Sequence, residues 1–127
     1  MRTILIFLLS AWLSSHSFAQ TGLQAFPLAS VQLLESPFRQ AQETDLKYML
    51  ALDPDRLLAP FLHEAGIATQ AKSYGNWENT GLDGHIGGHY LSGLSNMYAA
   101  TKNAEVYRRL QYMTGWLDSC QRKNGDG

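Results

Sequence analysis

Asp83, His85 and His89 fall within the stretch "GLDGHIGGHYLSG" at residues 81–93. Histidines at i and i+4 project from one face of a helix, the spacing with which two ligands approach a single zinc ion. A resident zinc needs at least three protein ligands, and the glutamate of an HExxH motif is missing because Ile86 follows His85. No metal is therefore expected on this pair. Two readings remain. One histidine is a hydrogen-bonded core residue, or both imidazoles line a polar cleft at the start of a helix, where they donate to or accept from hydroxyl groups.

Trp77 and Glu78 come just before this helix. An indole face beside a carboxylate holds a sugar ring by apolar contact on one face and hydrogen bonds at the rim. The alternatives are that Trp77 simply packs and that Glu78 favours a helix N-terminus through the macrodipole. With Tyr74 and Tyr90 close by, Trp77, Glu78, Asp83, His85 and His89 are the candidate substrate-binding residues. Cys120 lies three residues after Leu117 on an apolar stripe, which reads as a buried, inert thiol. Asp53, Asp55 and Arg56 read as a helix cap with surface or local ion pairing.

The elements that must position these residues are helical. Ser36-Pro37 is an N-cap and first helical position, and apolar spacing predicts a helix over about 37–51. Asp53-Pro54 repeats the signal for a shorter helix that ends at Gly66. Phe26 to Leu34 alternates weakly, as one short strand or an extended lead-in. Residues 67–80 carry no clean period and read as a long loop, of the kind that is commonly functional. Ile86, His89, Tyr90, Gly93, Leu94, Met97 and Tyr98 then mark one broad helix face. Val106, Leu110, Met113, Leu117 and Cys120 mark another, after a tight break at Lys102-Asn103. Two helices so joined form an αα-hairpin, and nothing between them supplies a parallel sheet.

The glycines need a reason, because each costs a helix interior about 1 kcal/mol against alanine. Gly81 and Gly84 are expected to shape the loop. Gly87 and Gly88 are expected to leave room for a ligand or a neighbouring backbone, or else to serve close helix packing.

Met1-Arg2, the apolar run from Ile4 to Leu13, and Ser17-Phe18-Ala19 ahead of Gln20 compose a secretory signal peptide over residues 1–19. The apolar run is shorter than the roughly 20 residues that span a bilayer, so no membrane attachment is expected. The protein is expected to be exported, periplasmic or extracellular. Across the chain 10 Lys and Arg face 11 Asp and Glu, which leaves no basic footprint for nucleic acid. A single cysteine forms no internal disulfide. Asn124-Gly125-Asp126-Gly127 is turn chemistry with no closing element, as expected of a fragment of a longer protein.

Three stretches resemble the start of the catalytic domain of glycoside hydrolase family 127, formerly a domain of unknown function and similar to family 146. They are "LDPDRLLAPF" at 52–61, "YGNWENTGLDGHIGGHYLSGLSNMYAAT" at 74–101 and "CQRKNGDG" at 120–127. The resemblance runs from about Phe26 onward, so residues 26–127 are expected to be the N-terminal portion of that domain. It implies an all-α fold in which helical hairpins form the first part of an (α/α) barrel. It also implies a β-L-arabinofuranosidase that releases non-reducing terminal β-L-arabinofuranose from plant glycans. The family's proposed nucleophile is a cysteine thiolate held on zinc with further cysteines and a glutamate, and a second glutamate is the acid/base. Hydrolysis would be retaining, through a glycosyl-cysteine.

Those residues are expected beyond residue 127, as are the zinc ligands, and Cys120 does not match their motif. No catalytic residue and no cofactor is then expected within this stretch, which alone would be inactive. The plant-type arabinose-containing glycan would be the partner. The competing classes are a non-catalytic carbohydrate-binding module, using Tyr74, Trp77 and the two histidines, and a structural α-helical module.

Overall fold

The computed structural model describes residues 22–125. The expected signal peptide lies outside the described residues. Within them the chain forms four α-helices and no strand: α1 (Pro37–Ala51), α2 (Pro54–Glu64), α3 (His85–Thr101) and α4 (Ala104–Asn124). Phe26 to Leu34 is a 3-10 turn at Leu28–Ser30 followed by extended chain, so the lead-in holds and the strand does not. A strand needs a neighbouring strand for its amides, and only helices surround this segment.

The starts of α1 and α2 follow from local chemistry. The Ser36 hydroxyl accepts from the Arg39 amide at 3.4 Å, and the Asp53 carboxylate accepts from the Asp55 amide at 2.9 Å, each with proline next in sequence. Pro60 removes one hydrogen bond inside α2, yet the helix continues because Leu57, Leu58 and Leu62 are packed into the core around it. Gly66 ends the segment at φ +63°, which lets the Ile67 amide reach the Leu62 carbonyl at 2.8 Å.

α3 and α4 form the expected hairpin. Lys102 takes a left-handed conformation with its amide on the Tyr98 carbonyl, and Asn103 caps α4 by accepting from the Glu105 and Val106 amides at 2.9 and 3.1 Å. The core joins Leu57 and Leu58 of α2 to Leu94 of α3 and to Val106 and Met113 of α4. Cys120 continues that stripe at 7% exposure, and its burial pushes the thiol's pKa up. It behaves as a small apolar side chain.

α1 contributes no fully buried residue and leaves Phe38 and Tyr48 exposed. What holds its end is Arg109, reaching across from α4. Its guanidinium donates to the carbonyls of Met49 at 3.1 Å, Leu50 at 3.2 Å and Leu52 at 2.6 Å, and to the Tyr90 hydroxyl at 2.9 Å. Tyr90 in turn donates to the Met49 carbonyl at 2.8 Å. Burial raises the Tyr90 pKa even though Arg109 opposes the shift, so the hydroxyl keeps the proton that it donates. The last turn of α1 has no basic residue of its own, and a distant cation satisfies its carbonyls instead.

Replacing Arg109 by Met should therefore cost about 2–3 kcal/mol in urea unfolding, since several acceptors lose a charged donor together. Arg109→Lys should recover less than half of the loss, because one ammonium cannot fan out to three carbonyls and a hydroxyl.

Candidate functional site

The loop between α2 and α3 closes with a short 3-10 turn at Asn76–Asn79, and this turn delivers Trp77 and Glu78 to the start of α3. The two side chains then part company. Trp77 stays 57% exposed and stacks on the His85 ring, with centroids 5.5 Å apart and planes 27° from parallel. His85 meets His89 edge to face at 4.5 Å, and their Nε2 atoms lie 3.2 Å apart. One of these nitrogens carries the proton and the other accepts it, so the pair offers a donor and an acceptor to any hydroxyl that displaces their mutual bond. Both histidines are exposed, which removes the core-histidine reading for each.

Glu78 points inward and is only 2% exposed. The Gly84 amide donates to its Oε2 at 2.9 Å and the Ile86 amide to its Oε1 at 2.7 Å. Its carboxylate is the missing cap of α3, since the cap position itself is Gly84 and supplies no side chain. Each of its two oxygens accepts from one backbone amide, as the helix-terminus reading has it, while the residue also lines the cleft that holds Asp83.

Tyr74 also turns out to be structural. Its hydroxyl accepts from the Asp53 amide at 2.9 Å, and the Arg56 guanidinium lies 3.9 Å over its ring while bonding the Lys72 and Ser73 carbonyls. Arg56 thus clamps the loop to α2 instead of pairing with Asp53 or Asp55. Asp83 separates from the histidines as well. It lines a polar cleft of about 430 Å³ together with His63, Glu64, Ser73, Glu78 and Asn79. His63 and Glu64 carry no sequence signal for this role, because they close α2 by ordinary helical spacing.

The glycines divide by what surrounds them. A Cβ on Gly84 would come 2.7 Å from the Phe61 ring, and φ is +87° there. A Cβ on Gly87 would come 3.1 Å from the Leu57 carbonyl and 3.0 Å from Phe61. These two let α3 press against α2. Gly88 faces open space, with nothing within 4 Å, and is the bare surface one residue before His89. Gly87→Ala should accordingly lower the melting stability by about 1–3 kcal/mol through overpacking. Gly88→Ala should raise it by about 0.5–1 kcal/mol, since an exposed helix interior favours alanine.

Among the described residues no group of three or more His, Cys, Asp and Glu side chains is placed to hold a metal. No helix among them is long and apolar enough to cross a membrane.

An all-α scaffold of hairpins carrying an exposed indole and two imidazoles at a helix start narrows the class of protein, and comparison with known families names it. Residues 30–127 match the family model described as the catalytic domain of beta-L-arabinofuranosidase, GH127. The chain belongs to this family of glycoside hydrolases. No curated protein matches it.

Proposed function

We propose that this chain supplies one wall of the sugar-binding cleft in an exported enzyme that releases non-reducing terminal β-L-arabinofuranose from plant glycans. The observation that carries the reading is the exposed stack of Trp77, His85 and His89, standing at the start of α3 within the matched region. The indole covers the apolar C–H face of a furanose ring. The two Nε2 atoms accept from and donate to neighbouring ring hydroxyls, and Gly88 leaves space for the ring to approach. Asp83 flanks this surface from the adjoining polar cleft.

These residues bind and orient. The covalent step needs a nucleophile on the anomeric carbon and an acid to protonate the departing oxygen. Buried Cys120, with its raised pKa, is unsuited to the first task. Both groups come from residues outside these 127. Holding the furanose still contributes by orientation, which lowers the barrier before any bond changes.

In the complete enzyme, Trp77→Ala and His89→Ala should each lower kcat/KM on an aryl β-L-arabinofuranoside by about 10–100-fold, the loss of one stacking or hydrogen-bonding contact. Melting temperature should hardly move, because both side chains are exposed. A melting loss that accounts for the activity loss would return these residues to a packing role. Unchanged turnover would favour a non-catalytic or structural module. Export rests on the basic start, apolar run and small residues of the first 19 positions. Intact-mass measurement of the secreted protein should find Gln20 as its first residue.

A further inference from the structure

We propose that Glu78 is a positioning residue for the His85–His89 pair, acting through the backbone of α3 and touching no substrate. The inference rests on the sugar-facing reading of that pair for its consequence, though not for its test.

Glu78 is a buried side chain with no Lys, Arg or His bonded to it. Burying a carboxylate is costly unless its oxygens are satisfied, and here they are satisfied by the amides that flank His85 on either side. The Gly84 amide takes one oxygen and the Ile86 amide takes the other. This two-point grip fixes the Asp83–Gly84 and His85–Ile86 peptides, the His85 amide between them donates to the Leu82 carbonyl at 3.1 Å, and together they set the direction in which the His85 ring leaves the helix. His89 is one turn on and meets His85 through Nε2 at 3.2 Å, so the relative setting of the two rings is inherited from the first turn. Trp77 is tied in as well. It is the residue preceding Glu78 in the same 3-10 turn, so one short segment supplies both the stacking surface for His85 and the carboxylate that aims it.

The grip is needed because the local sequence would not hold this geometry. Gly84 brings no capping side chain, and the pair at 87–88 is also glycine, so the first turn of α3 is conformationally loose in itself. A bare negative charge near the helix start would favour the helix, yet would leave the Asp83–Gly84 and His85–Ile86 peptides free to tilt. The two readings therefore separate on reach. Glu78→Asp keeps the charge and withdraws it by one methylene, while Glu78→Gln keeps the shape and turns one acceptor into a donor aimed at an amide N–H.

The test uses the complete enzyme labelled with ¹⁵N at histidine, with Asn103→Ala as a control that removes the cap of α4, beyond the opposite end of α3 from the histidines. Two-bond ¹H–¹⁵N correlations report the tautomers of His85 and His89 and the bond between their Nε2 atoms. Glu78→Gln and Glu78→Asp should both change the signals of His85 and His89, while Asn103→Ala leaves them as in the unaltered protein. KM for the arabinofuranoside should rise about tenfold or more in both Glu78 variants, with the loss of about one positioned hydrogen bond. Unaltered histidine signals in a folded Glu78→Gln protein would overturn the proposal. So would wild-type signals in Glu78→Asp, which would reduce Glu78 to a charge near a helix end. Should the histidine signals change while turnover stays constant, the positioning stands and the sugar-facing reading of the pair falls.

Discussion

The close approach of α3 to α2 is the constraint on which the site depends. Phe61 and the Leu57 carbonyl crowd the space where side chains at 84 and 87 would stand, so any other residue would have to push them aside, and at 84 would also meet a positive φ. A helix that begins with glycine cannot cap itself, and the structure answers with Glu78 from the preceding loop. Packing, loop conformation and capping are thus one problem with one solution. Its by-product is a helix start whose outward face carries His85, Gly88 and His89 beside Trp77. The site is built from residues that the interior has no use for, on a backbone that the interior sets.

A second long-range tie explains how α1 stays attached without a buried residue of its own. Arg109, 57 to 60 positions away in sequence, gathers the carbonyls at the end of α1 and the Tyr90 hydroxyl into one network. Tyr90 stands one residue after His89, so the same helix turn that shows a histidine to solvent anchors its opposite face to α1 and α4. Polar groups do this because helix ends leave carbonyls that water cannot reach once partners pack over them. Such rigidity would serve the outward face under the proposed sugar-binding role, since hydroxyl recognition tolerates little movement of the donor and acceptor.

The separation of the polar residues into three places has a functional meaning. Trp77, His85 and His89 form an exposed surface, Glu78 works beneath it at the edge of a neighbouring cleft, and Asp83 lines that cleft with His63 and Glu64. All five candidates lie within 13 residues of sequence, yet only three meet. Adjacency in sequence groups these residues without separating the one that serves backbone amides from those that face solvent. Whether a carboxylate faces a sugar or a backbone amide depends on a turn at residues 76–79 that no periodicity announces.

The helices, their proline and glycine boundaries, the hairpin break at Lys102-Asn103 and the buried stripe ending at Cys120 were all determined by sequence alone. Each depends on neighbours within about a turn, where capping groups and apolar spacing act directly. The concentration of aromatic and imidazole side chains around residues 77–89 was legible for the same reason. Tertiary structure alone decided the rest. It made the stretch at 26–34 a lead-in against α3, drew Tyr74 under Arg56, and gave Arg109 its carbonyls. It also made Glu78 the cap of the helix that presents the histidines. These outcomes pair groups that are distant in sequence or hidden in an irregular loop, and only the packed chain determines which buried acceptor each donor can reach.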